Sequence, residues 1–157
     1  MDIELLPHVG AGPFRLGMPV GEARQAAQDV GHLTPRGEGK AEPGQIVFTH
    51  EESGFDLVLG FTKGLRSHVE LWRFRDEDAD VRVTLEAIDV FRTPHEELQQ
   101  RLVDRGHPVE ENDLGFDAVP DLDIIFANES SYEYPTDEEG DPLYYDYVLV
   151  ADGTRAR

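Results

Sequence analysis

The sequence predicts an α+β fold of two tandem repeats, each a short helix followed by an antiparallel meander, whose strands can join into one continuous sheet. The main observation is internal similarity, because one helical segment recurs 75 positions later. The matched residues are Pro19, Glu22, Gln25, Asp29, Gly31 and His32 with Pro94, Glu97, Gln100, Asp104, Gly106 and His107. Two apolar segments follow the same pattern, Gln45–Glu51 against Asp123–Glu129 and Phe55–Leu59 against Tyr145–Leu149. The offset grows along the chain, which is typical of a duplication with loop insertions. We therefore predict repeats over residues 1–78 and 79–157; the alternative is chance similarity between two amphipathic helices.

Each repeat contains one predicted helix. In the first, Pro19 in the first turn and a stripe of small apolar residues ending at Gly31 indicate a short helix. In the second, Thr93 is expected to cap the helix, Pro94 to open it and Glu96 to complete a capping box. The expected inner-face residues are Ala23 and Ala27 in the first helix and Leu98 and Leu102 in the second.

Apolar and alternating segments predict the strands. These segments are 46–49, 55–61, 69–74, 81–85, 122–127 and 145–151. Phe48 is expected to occupy the position of Phe126 in the other repeat, and Phe14, Trp72 and Phe91 are expected to be largely buried. The Gly- and Pro-rich segment 35–44 is predicted to be a mobile loop, and residues 130–143 form an insertion in the second repeat.

Charge and composition limit the partners. The 157-residue chain has a formal net charge of −19, and no Lys or Arg lies between Arg105 and Arg155. Nucleic acids and anionic membranes attract Lys and Arg, so we expect neither as a partner. A strongly acidic surface instead attracts a basic protein. The alternative is that the acidity serves solubility alone.

Other features bear on location and chemistry. The chain has no Cys, which excludes disulfides, thiol nucleophiles and thiolate metal sites. The acidic start Met1-Asp2-Ile3-Glu4 does not resemble a signal peptide, and no apolar run has the length of a membrane helix. We therefore expect a cytoplasmic protein.

A local motif suggests a family. The segment Gly12–Ala23, in which Gly17-Met18 precedes the predicted helix, resembles the helix-opening motif of small bacterial domains related to the β-lactamase inhibitory protein and the outer-membrane lipoprotein BamE. The second copy, Phe91–Glu97, lacks the Gly-Met pair. The inhibitory protein is likewise a tandem repeat of similar period. The resemblance implies two helix-plus-sheet modules whose continuous concave sheet binds another protein.

Tyrosines interleaved with acids give the candidate binding site. All five tyrosines lie between positions 132 and 147, within or beside the insertion. Tyr is enriched at interfaces because it covers a large area at little entropic cost. The predicted partner-binding residues are Tyr132, Glu133, Tyr134, Asp137, Glu138, Glu139, Asp141 and Tyr144. We therefore expect a non-enzymatic protein-binding module, an inhibitor or immunity-type protein that masks a basic protein; the alternative for the insertion is a disordered, solvated loop.

No arrangement of residues indicates catalysis, a cofactor or a metal site. The triplets 50–52 and 95–97, each His-Glu-Glu, lack the second His of a helical zinc site. We expect His32 and His107 to cap helix C-termini, and Asp121 and Asp123 to face solvent. The alternative function is a small hydrolase-like or metal-dependent enzyme that uses carboxylates of the second half.

Overall fold

Two helices and thirteen strands make up the described part of the fold, which is α+β as the sequence predicts. The computed structural model describes residues 1–36, 45–62, 66–111, 115–129 and 133–151. In chain order the elements are β1 (Asp2–Leu6), β2 (Gly10–Ala11), β3 (Phe14–Arg15), α1 (Val20–Gly31), β4 (Thr34–Arg36), β5 (Gln45–His50), β6 (Phe55–Thr62), β7 (Arg66–Trp72), β8 (Arg82–Leu85), β9 (Ile88–Asp89), α2 (His95–Asp104), β10 (Glu110–Glu111), β11 (Phe116–Val119), β12 (Ile124–Ala127) and β13 (Tyr147–Ala151). A single 3₁₀ turn, Pro120–Leu122, joins β11 to β12.

The larger sheet is antiparallel throughout and draws strands from both halves of the chain. Its order is β10-β11-β12-β13-β7-β6-β5-β4, so β10 and β4 are its edges. At its centre β13 pairs with β7, with Tyr147 opposite Trp72 and Ala151 opposite His68. The last strand of residues 1–78 and the last strand of residues 79–157 are therefore hydrogen-bonded neighbours.

A second, smaller sheet has the order β3-β2-β1-β8-β9. In it β1 and β8 run parallel, with Ile3 opposite Val83, and their partners β2 and β9 are antiparallel to them. The described strands therefore form two sheets, and the expectation that the repeats can join into one continuous sheet is not confirmed. Strands of two residues such as β2, β3 and β9 are too short to produce an alternating pattern that a sequence could reveal.

The helices lie close to their predicted positions. His32 follows α1 in the left-handed region, with φ 58°, and its N–H bonds to the Gln28 carbonyl. α2 begins one residue later than expected, because Pro94 has φ −52° and ψ 139° and so lies outside the helix as its N-cap. The predicted cap at Thr93 is therefore wrong. Neither helix in the described part of the chain has the length and hydrophobicity needed to cross a membrane.

One hydrophobic core joins the two sheets and both helices. The inner-face residues of the large sheet pack against Ala23 and Ala27 of α1, Leu98 and Leu102 of α2, and the small sheet. Aromatic pairs link these layers: Phe14 and Phe48 have ring centroids 5.9 Å apart, and Phe74 and Phe91 meet edge-on at 6.3 Å. The core therefore spans the boundary predicted between the two repeats.

Two expectations about buried aromatics are corrected by the strand geometry. Phe14 and Phe91 are fully buried, as expected, but Trp72 is only half-buried. Successive side chains of a strand point to opposite faces, and Leu71 faces the core, so Trp72 points away from it. Phe48 and Phe126 are both buried, yet β5 is the third strand from the central β7–β13 pairing and β12 is the second. The sequence match of these two segments therefore aligns strands of unlike position.

Candidate functional site

The face of the large sheet that points away from the core carries a row of aromatic side chains. The register places Phe116 of β11 opposite Ala127 of β12, Ala127 opposite Tyr147 of β13, and Tyr147 opposite Trp72 of β7. Directly opposed residues of paired strands lie on the same face. Ala127 has the smallest side chain of this row, so a depression forms between Phe116 and Tyr147. We call this surface of β7, β11, β12 and β13 the open face.

A groove of about 320 Å³ lies on the open face. It is lined by Glu70, Trp72, Phe116, Ile125, Ala127, Glu129, Tyr147 and Leu149. The rings of Trp72 and Tyr147 meet edge-on, with centroids 4.7 Å apart and an interplanar angle of 71°. An edge-on contact leaves a ring face free to receive another group, and such packing also fixes the two rings relative to each other.

The charge of the groove is negative. Glu70 and Glu129 are the ionised groups among its described lining residues. The Glu70 carboxylate lies 3.0 Å from Nε2 of His68, which holds it in place. Burial raises the pKa of the Tyr147 hydroxyl, and the negative charge of Glu70, its hydrogen bond and the charge of Glu129 raise it further. The Tyr147 hydroxyl is therefore neutral at physiological pH. The groove thus presents the carboxylates of Glu70 and Glu129 beside an apolar wall.

The described part of the insertion forms a small hairpin. We call residues 133–144 the acidic hairpin. Thr136 and Pro142 form an isolated antiparallel bridge at its base. At its tip one Asp137 carboxylate oxygen accepts hydrogen bonds from the backbone N–H groups of Glu139 (2.8 Å) and Asp141 (3.0 Å). This loop is thus turned by its own side chain, and Glu138, Glu139 and Asp141 are left exposed to solvent.

Two of the predicted binding tyrosines contact the body of the protein. The guanidinium of Arg73 lies 5.1 Å from the Tyr134 ring centroid and 4.8 Å from that of Tyr144. The Tyr134 hydroxyl also donates a 2.6 Å hydrogen bond to the Arg73 carbonyl. Arg73 is itself buried, donates from Nε to the Phe91 carbonyl at 2.8 Å, and forms a two-pronged contact with Glu77. These contacts attach the acidic hairpin to β7.

A second cavity, of about 690 Å³, lies between the acidic hairpin and the end of the large sheet. Its lining residues are Arg75, Glu77, Asn128, Glu133, Tyr134, Pro135, Thr136, Pro142 and Asp146. The groove and this cavity are lined by alternate residues of two chain segments. In the first segment Ala127 and Glu129 line the groove and Asn128 lines the cavity; in the second, Tyr147 lines the groove and Asp146 lines the cavity. The predicted residues Glu133 and Tyr134 line this cavity, none of the predicted binding residues is among the described lining of the groove, and Tyr132 lies outside the described residues.

A cluster of histidines and carboxylates lies at the opposite end of α2. His107 Nδ1 is 2.9 Å from an Asp121 oxygen, and its Nε2 is 2.7 Å from a Glu86 oxygen. The hydrogen bond with Asp121 raises the pKa of His107; partial burial opposes this, and the hydrogen bond and charge of Glu86 add to the rise. His8 lies 3.5 Å from the buried carboxylate of Asp123. These contacts join the turns after β1 and β8 to the 3₁₀ turn.

This cluster bears on two expectations. The His107 backbone N–H caps α2 as expected, since it donates to the Leu102 carbonyl at 2.9 Å, but its imidazole contacts carboxylates. Asp123 is buried instead of facing solvent. Both ring nitrogens of His107 are engaged, so neither is open to take a proton from a substrate. Among the residues that the structure describes, no group of three or more His, Asp or Glu side chains suits a metal ion.

Comparison with known proteins identifies no relative. No protein-family model matches the chain, and neither a curated protein nor a solved structure is significantly similar to it. The resemblance to the inhibitory-protein domains stays a prediction. The sequence did not predict the groove, because its residues come from separate strands. The available signal was the alternation along β7 and β13, in which Leu71 and Val148 face the core and their neighbours Trp72 and Tyr147 face the opposite side.

Proposed function

We propose that this protein is a non-enzymatic binding module that recognises and masks a basic protein, as inhibitors and immunity proteins do. The observation that carries this proposal is the groove on the open face, an apolar, aromatic depression whose ionised lining groups are both acidic. The acidic hairpin lines the larger cavity and adds further negative charge to the protein. The cytoplasmic location predicted from the sequence belongs to the same proposal.

The composition of the open face favours a protein partner. Trp and Tyr are the residues most often found at the energetic centre of protein interfaces, because they bury a large rigid area. Ile125 and Leu149 extend the apolar area, and the acids lie at its border. This arrangement matches an interface with an apolar centre and a charged rim. The net charge of −19 would accelerate association with a basic partner in a salt-dependent way.

We also infer that the chain arose by duplication, with a boundary near residue 78. In each half a set of short strands precedes one helix, and four strands of the large sheet follow it. The sheet order reverses across the central pairing, so that β7 corresponds to β13, β6 to β12, β5 to β11 and β4 to β10. This order supports the tandem repeat that the resemblance to the inhibitory protein implies. The equivalent strands differ by one position in the sheet from those that the sequence match paired, which were β5 with β12 and β6 with β13.

The proposal is tested by affinity capture from the lysate of the native host at low salt. The bait proteins are the wild type, Trp72→Ala in the groove, and Val103→Ala, which truncates an exposed apolar residue on α2 as a matched control. A captured protein supports the proposal only if it is basic, binds the purified wild type directly and is lost with Trp72→Ala but not with Val103→Ala. Equal retention by all three baits would reject the groove as the site, and the absence of any basic partner would reject the function.

The acidic hairpin is tested separately. Neutralising Glu138, Glu139 and Asp141 to their amides keeps the Asp137 turn intact, since its acceptor oxygen is unchanged. We expect this triple variant to slow association with the partner and to reduce its salt dependence, with little effect on dissociation. Unchanged association kinetics would show that the acidic hairpin is outside the contact.

A further inference from the structure

We infer that the groove receives a single arginine side chain of the basic partner, stacked on the Trp72 and Tyr147 rings and paired with Glu70 and Glu129. This inference rests on the proposed function and specifies the chemistry of its central contact. Three observations support it: the size of the groove, the combination of aromatic walls with two carboxylates, and the way the protein binds its own arginines.

The groove has the size of one large side chain. Ligand pockets usually measure about 300–1,000 Å³, and this groove, at about 320 Å³, lies at the lower end of that range. Its floor is Ala127, and its walls are Phe116 on one side and Tyr147 with Trp72 on the other. A bulkier side chain at the floor position would fill the depression, so the space exists because position 127 is small.

The lining suits a guanidinium better than an ammonium group. Arg is planar, stacks on aromatic rings and is weakly hydrated, whereas Lys is a compact, strongly hydrated charge. Glu70 lies opposite Leu149 in the row next to Tyr147, and Glu129 follows Ala127 by two residues on the same chain segment. The two carboxylates thus come from β7 and from the segment that follows β12, and both line one apolar groove. A planar cation with donors on several edges can reach both while its face covers a ring.

The protein already binds arginine in this manner. Arg73 lies over the rings of Phe74, Tyr134 and Tyr144 while its guanidinium forms a two-pronged contact with Glu77. Its Nη2 lies 2.8 Å from the Glu77 carboxylate. In the groove, aromatic rings and carboxylates are again combined, but no arginine is among the described lining residues. We therefore assign that place to an arginine of the partner.

The test uses the fluorescence of Trp72, which is the sole tryptophan of the chain. The probes are short Gly-Ser peptides with blocked ends, each with one central Arg, Lys, citrulline or norleucine and no other charged group. Citrulline matches arginine in shape and removes its charge. We expect a saturable fluorescence change with the Arg peptide, with an affinity at least about tenfold above that of the citrulline peptide, the difference typical of one charge-assisted hydrogen bond.

Substitutions place the probe in the groove. Glu70→Gln and Glu129→Gln should each weaken the Arg peptide about threefold to tenfold, because each removes one charge from a charge-assisted contact. Ala127→Leu should abolish binding by filling the floor. Glu4→Gln, an exposed glutamate on β1 of the small sheet, is the matched control for loss of one negative charge and should leave the affinity unchanged. Each variant is first checked for an unchanged melting temperature, and heteronuclear NMR shifts replace fluorescence for any variant that alters Trp72 emission.

The outcomes separate this inference from the proposed function. Equal binding of the Arg and citrulline or norleucine peptides would overturn the arginine assignment, and the groove would remain the docking site of an apolar residue. The arginine assignment is likewise overturned, and the groove kept as the docking site, if no peptide binds while Ala127→Leu still abolishes capture of the basic partner. If Glu4→Gln weakens the Arg peptide as strongly as Glu70→Gln, the contact is diffuse charge attraction and the inference is wrong.

Discussion

The Arg73→Lys substitution should destabilise the protein although it conserves the charge. Arg73 is buried, with 1% of its side chain exposed, and it contacts three separate parts of the chain. Its Nε donates to the Phe91 carbonyl, its two terminal nitrogens bind Glu77, and its plane lies against Tyr134 and Tyr144 of the acidic hairpin. A lysine ammonium has one nitrogen and no plane, so it can satisfy only part of this set.

The expected loss follows from the contacts. A hydrogen bond to a charged group contributes about 1.5–3 kcal/mol, and the substitution removes at least two of them. The Glu77 side chain is 45% exposed, so the share of that contact is reduced by solvent screening. We therefore expect the free energy of unfolding to fall by about 3 kcal/mol in total. For a chain of this length this corresponds to a melting temperature about 6–12 °C lower.

Urea unfolding and calorimetry measure this loss, with Arg75→Lys as the matched control. Arg75 is an exposed arginine two residues further along the chain, so its conversion to lysine should change stability by less than about 0.5 kcal/mol. Limited proteolysis at glutamates should also cleave the acidic hairpin faster in Arg73→Lys, because Tyr134 and Tyr144 lose their planar partner. A loss below about 1 kcal/mol relative to Arg75→Lys would refute the idea that the guanidinium plane and its several donors hold this junction.

Two further predictions concern stability. His107→Gln should destabilise the protein most at low pH: the folded pKa of His107 lies above its usual 6.5, so its contribution is fully present below pH 6.5 and is lost as the pH rises through the folded value. A difference between wild type and variant in urea unfolding that grows from pH 6 to pH 9 would contradict this sign, and exposed His32→Asn is the control. On α2, Leu102→Ala should cost about 2–5 kcal/mol because it leaves a cavity in the core, whereas Val103→Ala, 48% exposed, should cost less than about 0.5 kcal/mol. Equal losses measured by urea unfolding would mean that the face of α2 is wrongly assigned.

The sequence predicts local structure where a period or a turn residue is present. The alternation around Val83 and the apolar run at 55–61 correspond to observed strands, and Gly31 ends α1 as expected. The division into two sheets was not predictable in this way, because the parallel β1–β8 pairing joins residues about 80 positions apart. A sequence pattern gives the face of a strand but not its neighbour.

The candidate site was predicted only in part, for the same reason. The acidic insertion was visible as a charge pattern, but the contact of Tyr134 and Tyr144 with Arg73 depends on long-range folding. Trp72 was expected to be buried, but a shift of one residue reverses the face of every side chain in a strand, and Leu71 occupies the core face instead. The groove needs strands from both halves of the chain, which no local pattern contains.

The edges of the large sheet decide how other chains can approach it. An edge strand with free N–H and C=O groups is a template onto which another chain can add as a further strand. Here one edge, β4, contains Pro35, which has no N–H to offer, and the other, β10, consists of two exposed glutamates that repel a second copy. Extension of the sheet by strand addition is thereby discouraged at both ends. A partner is left to dock by side-chain contact on the sheet's broad surface, where recognition depends on shape and charge instead of backbone pairing.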